Sequence, residues 1–401
     1  MALANGTPTA LSGRLVTESG IVDDGVLRWE ESRITAVEPG TREGAVELPE
    51  GFLILPGLVD LHCHGAGGGD FTSGTPEDIE AATAQLHASG STTVLASTCA
   101  APLDELEDAF GRLAAAAEKG LIAGIHAEGP FLSKHRNGAH DPAFLLLPSQ
   151  ENVTRLVTAG RGHLASMTYA PELPGSDVLV YELVTHGVIP SIGHTDGSTE
   201  ETLAALDFIG EELASTGFAG FNGRPTATHL FNAMPAIHHR SPGPVPLLLQ
   251  RARAGEIAVE LIADNVHLHP ETVRMAFTIA GSENICLVSD STAAAGCESG
   301  TYRLGRSEVT LVDGSAILIA SGALAGGAGS LLDVVRSTIG AGVDVVDAVR
   351  AASAVPAGVL GLSDEVGSLR SGLRADAVVV SPELELRGVL RAGSWVRPLT
   401  L

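Results

Sequence analysis

Cations are scarce in this 401-residue chain. It carries 24 Lys and Arg against 48 Asp and Glu, a formal charge of −24, and only Lys119 and Lys134 are lysines. So acidic a chain repels polyanions, which excludes nucleic acid and anionic membrane surfaces as partners. It also sets a requirement: an anionic substrate needs a local cationic pocket that overcomes the global field. Aromatics are only 4% while glycine reaches 48 residues, so the core must be aliphatic and the turns tight. The four cysteines, Cys63, Cys99, Cys286 and Cys297, show no C-x-x-C spacing. They read as reduced thiols rather than a disulfide framework or a zinc ribbon. No run of about 18 apolar residues is present, so no membrane span is expected. The opening MALANGTPTALSGRLV lacks the charged and apolar regions of a signal peptide. These absences together predict a soluble, cytoplasmic protein.

What is present is alternation. Eight β-like runs follow one another: ILPGLVDLH, STTVLAS, LIAGIHAEG, LASMTYA, GVIPSIGH, TATHLF, AVELIAD and NICLVSD. Several are continuously apolar, as parallel strands buried on both faces must be. Helical patterns with sound ends separate them. Thr75-Pro76-Glu77-Asp78 starts one that stops near Gly90, another runs from about Leu103 to Gly120, and Ser198 and His269-Pro270 begin two more. Eightfold alternation predicts an α/β protein built as a (β/α)₈ TIM-like barrel. A doubly wound open sheet is the competing architecture, but polar residues ending strands one, three, five, six and eight converge only if the sheet closes. The flanks are β-rich and broken by Gly and Pro. Residues 1–56 and 364–401 are therefore expected to form one small β-sandwich, around a barrel spanning 57–363 with a β insertion near 300–325.

The chemistry sits at strand ends. His62 and His64 lie two apart, so on a strand both face the same way and make a natural ligand pair. Cys63 faces the other way and reads as a packed thiol. Glu128 follows an apolar strand, where a buried carboxylate calls for a compensating cation. His194 and His229 end their own strands and complete a Glu/His/His metal set with room for water. His126 is open between support of that set and simple packing. Asp290 can take a proton from an attacking water and return it to a leaving group, with helix capping as the bland alternative. GAGGGD (65–70) and GALAGGAGS (322–330) lack the G-K-[ST] of a phosphate loop and read as loops that let backbone approach a ligand.

In order from about residue 55 to 330, PGLVDLHCHG, HAEGPFL, NGAHDP, GHTDG, THLFNAM, IADNVH and LVSDS resemble the amidohydrolase superfamily. Within it they are similar to the group that deacetylates N-acetylglucosamine 6-phosphate. The resemblance implies a hydrolytic enzyme with Glu128, His194 and His229 as metal ligands, and His62 and His64 matching members that bind a second metal. It implies Asp290 as catalytic acid and base, and His140 as a substrate contact that polarises the acetyl carbonyl. It assigns Asn232 and Ala233 to holding the sugar, and His267 and Arg240 to the phosphate, the arginine coming from the other subunit of a homodimer. The cofactor implied is one or two divalent cations, zinc first, although imidazole and carboxylate also suit Fe²⁺, Co²⁺ and Mn²⁺. Three features depart from the group: S-D-S replaces the usual T-D-A around Asp290, GALAGGAGS is glycine-richer, and two histidines precede Arg240 in HHRSPG. The alternatives are a deacetylase for the galactosamine isomer, an amidohydrolase acting on cyclic amides, and a non-catalytic barrel serving as a scaffold.

Overall fold

The computed structural model describes residues 9–40, 44–216, 224–312 and 314–401. The first eight residues, part of the segment in which no signal peptide is expected, lie outside them. Eight parallel strands run in chain order around one sheet: Leu58–Cys63, Ser91–Thr98, Gly124–Glu128, Leu164–Tyr169, Ile189–Ile192, Thr226–Ala227, Ala258–Leu261 and Ile285–Leu287. Nearly every residue in them is buried, which is why their sequences are apolar runs rather than alternations.

The seam between first and last strands closes the barrel. Cys63 bridges Ser291 in parallel, and the Asp290 amide donates to His62 O at 2.9 Å. Asp60 reinforces it: its carboxylate accepts the Ser289 hydroxyl at 2.6 Å and the Ser289 amide at 3.2 Å. Burial pushes the Asp60 pKa up to about 6 although the Ser289 hydrogen bonds oppose that. This closure removes the open-sheet alternative.

Helices cover the outside where the cap signals placed them. Thr75 and Asp78 form a reciprocal capping box on Pro76–Ala88. Ser198 and Glu201 do the same before Thr199–Thr216, and the His269 ring accepts the Glu271 amide at 3.2 Å ahead of Pro270–Ala280. One expected strand is shorter than its pattern. TATHLF forms a strand only over Thr226–Ala227, because His229, Phe231 and Ala233 take positive φ (27°, 79° and 50°) and turn the chain across the barrel mouth.

Both termini feed one β-rich lobe. Strands Ala10–Thr17, Gly20–Glu30, Arg33–Pro39, Leu53–Pro56, Ala377–Val380, Leu386–Arg391 and Ser394–Arg397 lie on one hydrogen-bonded path. Trp29 and Trp395, from distant parts of that path, meet edge to face at 6.3 Å, so the sheet folds over its own core. The period of two sorts its faces. Ile54, Val379 and Leu390 point into that core, while their neighbours Leu53, Leu55, Val378, Val380 and Val389 join the main core shared with the barrel. After the eighth strand, Thr301–Leu304, Ser307–Val312 and Ser315–Leu318 form a small antiparallel sheet. Its first turn is pinned to the barrel by the Gly305 amide on Asp70 (2.9 Å) and by Arg306 on Glu105 (2.7 Å). Among the described residues, no helix is long and apolar enough to cross a membrane.

Candidate active site

Strand ends deliver the predicted ligands to one place. His62 lies in the first strand and His64 just past its end, Glu128 closes the third, and His194, His229 and Asp290 follow the fifth, sixth and eighth. The last three all have positive φ (48°, 27° and 47°), a conformation that non-glycine residues rarely adopt away from functional turns. Glu128 is the hub. Its Oε1 lies 2.9 Å from His229 Nε2, 3.0 Å from His194 Nε2 and 3.5 Å from His62 Nε2. Its Oε2 lies 3.0 Å from His140 Nε2 and 3.2 Å from His64 Nε2. Asp290 Oδ1 is 3.4 Å from His62 Nε2 and 3.3 Å from His64 Nε2.

Ring orientation decides what this cluster can hold. His194 Nδ1 faces Arg136 O at 2.7 Å and His62 Nδ1 faces Glu260 Oε2 at 3.2 Å, so those nitrogens carry the protons. The Nε2 atoms point inward, with those of His62 and His64 3.1 Å apart and those of His194 and His229 also 3.1 Å apart. Two ring nitrogens at that separation need a proton or a cation between them. Donor atoms about 3.0 to 3.4 Å apart are what cation–ligand bonds of roughly 2.0 to 2.1 Å produce. The donor set therefore fits a divalent cation at Glu128, His194 and His229, and a second at His62 and His64.

The electrostatics agree. Burial works against charging His62, yet Asp290 and Glu128 hold its pKa up at about 10. Burial likewise works against ionising Glu128, but His62, His140 and His194 keep its carboxyl well below the usual range. Asp290 is lowered too, by His62 and His64 against burial. The cleft stabilises positive charge among its carboxylates, whether protons or a cation carry it.

His140 differs from the inward-facing rings. The Ala100 amide donates to its Nδ1 at 3.1 Å, which places the ring proton on Nε2, and burial lowers its pKa. A neutral imidazole with a fixed N–H is a hydrogen-bond donor rather than a base. The loop carrying it explains NGAHDP: a Cβ on Gly138 would come within 2.9 Å of His194 Cε1, so only glycine fits there. His126 lies behind the cluster. Its ring packs edge to face on His62 at 4.4 Å, and its nitrogens bond Ser97 Oγ (2.9 Å) and Thr168 Oγ1 (2.7 Å), which supports His62 from beneath.

Above the cluster opens a cleft of about 230 Å³. Besides ligand residues it is lined by His140, Asn232, Ala233, His267 and Asp290. His267 Nδ1 pairs with Asp264 Oδ2 at 2.8 Å; burial opposes its charge, but Asp264 raises its pKa. Arg240 is not brought into this cleft: it is exposed, with its guanidinium 2.7 Å from His239 Nε2. The glycine-rich loop reaches the cleft through Leu324 and Gly326 and also packs against the backbone around Asp290. A Cβ on Gly327 would lie 2.2 Å from Ser289 O, and Gly327 pairs with Ser291, so the close approach there is to the backbone around Asp290. Sequence reasoning missed Glu260, Cys99 (its Sγ 3.4 Å from His64 Nδ1) and Leu304, which lines the cleft. Glu260 carried a signal, since a carboxylate inside the apolar run AVELIAD needs a partner.

A closed parallel barrel that gathers imidazoles and carboxylates at the carboxyl ends of its strands is the architecture of metal-dependent hydrolases, and this chain is a hydrolytic enzyme of that class. The amidohydrolase family profile matches residues 53–396, and the chain belongs to that family. It is 31% identical over 381 residues to an N-acetylgalactosamine-6-phosphate deacetylase of Escherichia coli O157:H7, covering 94% of this chain and 96% of that protein. It is 30% identical over 392 residues to the N-acetylglucosamine-6-phosphate deacetylase of Bacillus subtilis (strain 168), covering 93% and 92%. Among solved structures it is similar to a mutant N-acetyl-D-glucosamine-6-phosphate deacetylase from Mycobacterium smegmatis in complex with N-acetyl-D-glucosamine 6-phosphate. That match has 34% identity, a TM-score of 0.89, and covers 98% of this chain and all of that one.

Proposed function

We propose that the chain hydrolyses the acetamide of N-acetyl-D-glucosamine 6-phosphate to D-glucosamine 6-phosphate and acetate. The observation that carries this reading is a single cleft that combines the Glu128-centred cluster, a neutral N–H donor at His140, an ionised Asp290 and a charge-supported His267. Glu128, His194 and His229 would hold one cation and His62 and His64 a second, zinc being the first choice and iron, cobalt or manganese also compatible with these donors. Bound there, such a cation would supply acidification of water, whose pKa falls from 15.7 to about 7 on a metal, and polarisation of an amide carbonyl.

The residues of the chain do the rest. His140 Nε2–H donates to the acetyl oxygen as negative charge develops there. Asp290 accepts a proton from the attacking water and delivers it to the amine nitrogen as the C–N bond breaks. Asn232 and the backbone at Ala233 hold the sugar, and the His267 imidazolium pairs with the phosphate. Arg240, exposed in its own subunit, reaches the phosphate of a neighbouring copy in a homodimer and supplies the cationic pocket that so acidic a chain requires. The protein works in the cytoplasm, where its four unpaired cysteines stay reduced.

The test is acetate release by metal-analysed protein from N-acetylglucosamine 6-phosphate, its unphosphorylated parent and the galactosamine isomer. We expect kcat/KM to be at least about 10²-fold higher with the phosphate than without it, and Arg240→Ala to remove roughly 10-fold or more of that preference, the scale of a charge-assisted contact. Equal or absent turnover of all three with metal bound would reject the substrate. The galactosamine isomer is the second reading because the Escherichia coli relative acts on that sugar by its name.

The pair His267–Asp264 gives a pH prediction. The folded His267 pKa is raised, so its charge and its contribution to stability are full below the ordinary 6.5 and are lost as pH rises through the raised value. Asp264 is lowered, burial notwithstanding, by the His267 hydrogen bond, so its contribution fails only as pH falls through that depressed value. Phosphate binding should therefore persist above pH 6.5. In Asp264→Asn the rise of KM with pH begins earlier, and KM near pH 7.5 is about three- to tenfold higher while kcat changes little. A KM-against-pH profile superimposable on wild type would exclude this role.

A further inference from the structure

The seventh barrel strand, Ala258–Leu261, is apolar except for Glu260, and Glu260 is buried. Its Oε2 lies 3.2 Å from His62 Nδ1 and accepts the His229 amide at 3.3 Å, while its own carbonyl accepts the Leu230 amide at 2.8 Å. One residue thus grips the ring from the first strand and the turn after the sixth, across the mouth of the barrel.

The other inward-facing rings have weaker support. His194 leans on the Arg136 carbonyl and His64 on the Cys99 sulfur, while His229 Nδ1 is buried with no partner. A carboxylate that accepts Nδ1–H does more than a carbonyl. It holds the tautomer that leaves Nε2 free, fixes the ring plane, and makes the opposite nitrogen more basic. His62 is where this matters, because its Nε2 lies within 3.5 Å of Glu128, Asp290 and His64 donor atoms alike.

We propose that Glu260 is the positioning residue that creates the second cation position, acting through His62, and that its grip on the His229 amide sets that position against the first. The proposal rests on the reading of the cluster as a two-cation site and is independent of which sugar is hydrolysed.

The experiment uses the full chain stripped of metal and titrated with zinc alone, with chelator competition to give the affinity of each position. Wild type should take two zinc ions per subunit. Glu260→Gln, which keeps the size and one acceptor oxygen but removes the charge, should hold the Glu128–His194–His229 ion normally and lose about 10- to 100-fold in affinity for the other. Its metal-free melting temperature should stay within a few degrees of wild type. Glu260→Asp, which withdraws the charge by one methylene, should show the same split in smaller measure, so a glutamine variant that fails to fold leaves the question decidable. In His62→Gln/Glu260→Gln the second position should be no weaker than in His62→Gln alone. Equal weakening of both ions, weakening of neither, or a wild type that binds only one zinc would overturn the proposal. A wild type that binds no zinc, iron, cobalt or manganese would instead overturn the hydrolytic reading of the site.

Discussion

Replacing Asp290 by asparagine is expected to lower kcat by roughly 10² to 10⁴, the range for loss of a general acid–base group, and to leave the metal proposed at Glu128, His194 and His229 in place. Asp290 stands just past the eighth strand with φ 47°, its amide held by His62 O at 2.9 Å, so its carboxylate projects into the cleft from a constrained backbone. His62 and His64 keep that carboxylate ionised against burial. An ionised carboxylate can accept the proton that an attacking water must lose, and it can return that proton to the amine. Asparagine fills the same space and preserves the backbone contacts but has no basic oxygen. Because Asp290 Oδ1 also lies 3.3 to 3.4 Å from His62 and His64 Nε2, the second cation can weaken in this variant while the first does not. Single-turnover acetate release combined with metal analysis checks the claim, and a kcat near that of wild type would remove Asp290 from the chemistry.

Glu128→Gln has the opposite signature: metal is lost, and activity falls with it. No other carboxylate in the cleft lies within 3.5 Å of five ring nitrogens, those of His62, His64, His140, His194 and His229. Its two oxygens face different halves of the cluster, so on the proposed reading its charge would serve both cation positions. An amide keeps the shape but offers one acceptor, and it turns an N–H₂ group toward imidazole nitrogens or a cation. We expect less than about half an equivalent of metal per subunit after dialysis and a kcat lower by roughly 10³ or more, since the water pKa shift from 15.7 to about 7 is then forfeited. A glutamine variant that retains metal and turnover would show that the charge of Glu128 is not what holds the ions. Together the two variants separate a proton-transfer role from a metal-holding role.

The amino-acid sequence by itself determined the alternation of eight strands with capped helices, and the places along the chain where chemistry sits. The reasons are local. A strand buried on both faces must read as an apolar run, a helix start needs its cap, and His62 and His64 two residues apart must share a face. The convergence of these side chains was legible for the same reason, since imidazoles and a carboxylate at the ends of apolar strands need compensation. What the tertiary structure alone decided is everything that depends on partners far apart in the chain. The seam that joins Cys63 to Ser291, the grip of Glu260 on His62, the bond that His194 Nδ1 donates to the Arg136 carbonyl and the Ala100 amide that turns His140 into a donor all belong here. So do the shortening of the sixth strand by the left-handed turn at His229, and the exposure of Arg240 away from its own cleft. Periodicity tells which face of a strand a ring occupies; it cannot tell which ring nitrogen keeps its proton, because that is set by whatever group folding brings to the other side.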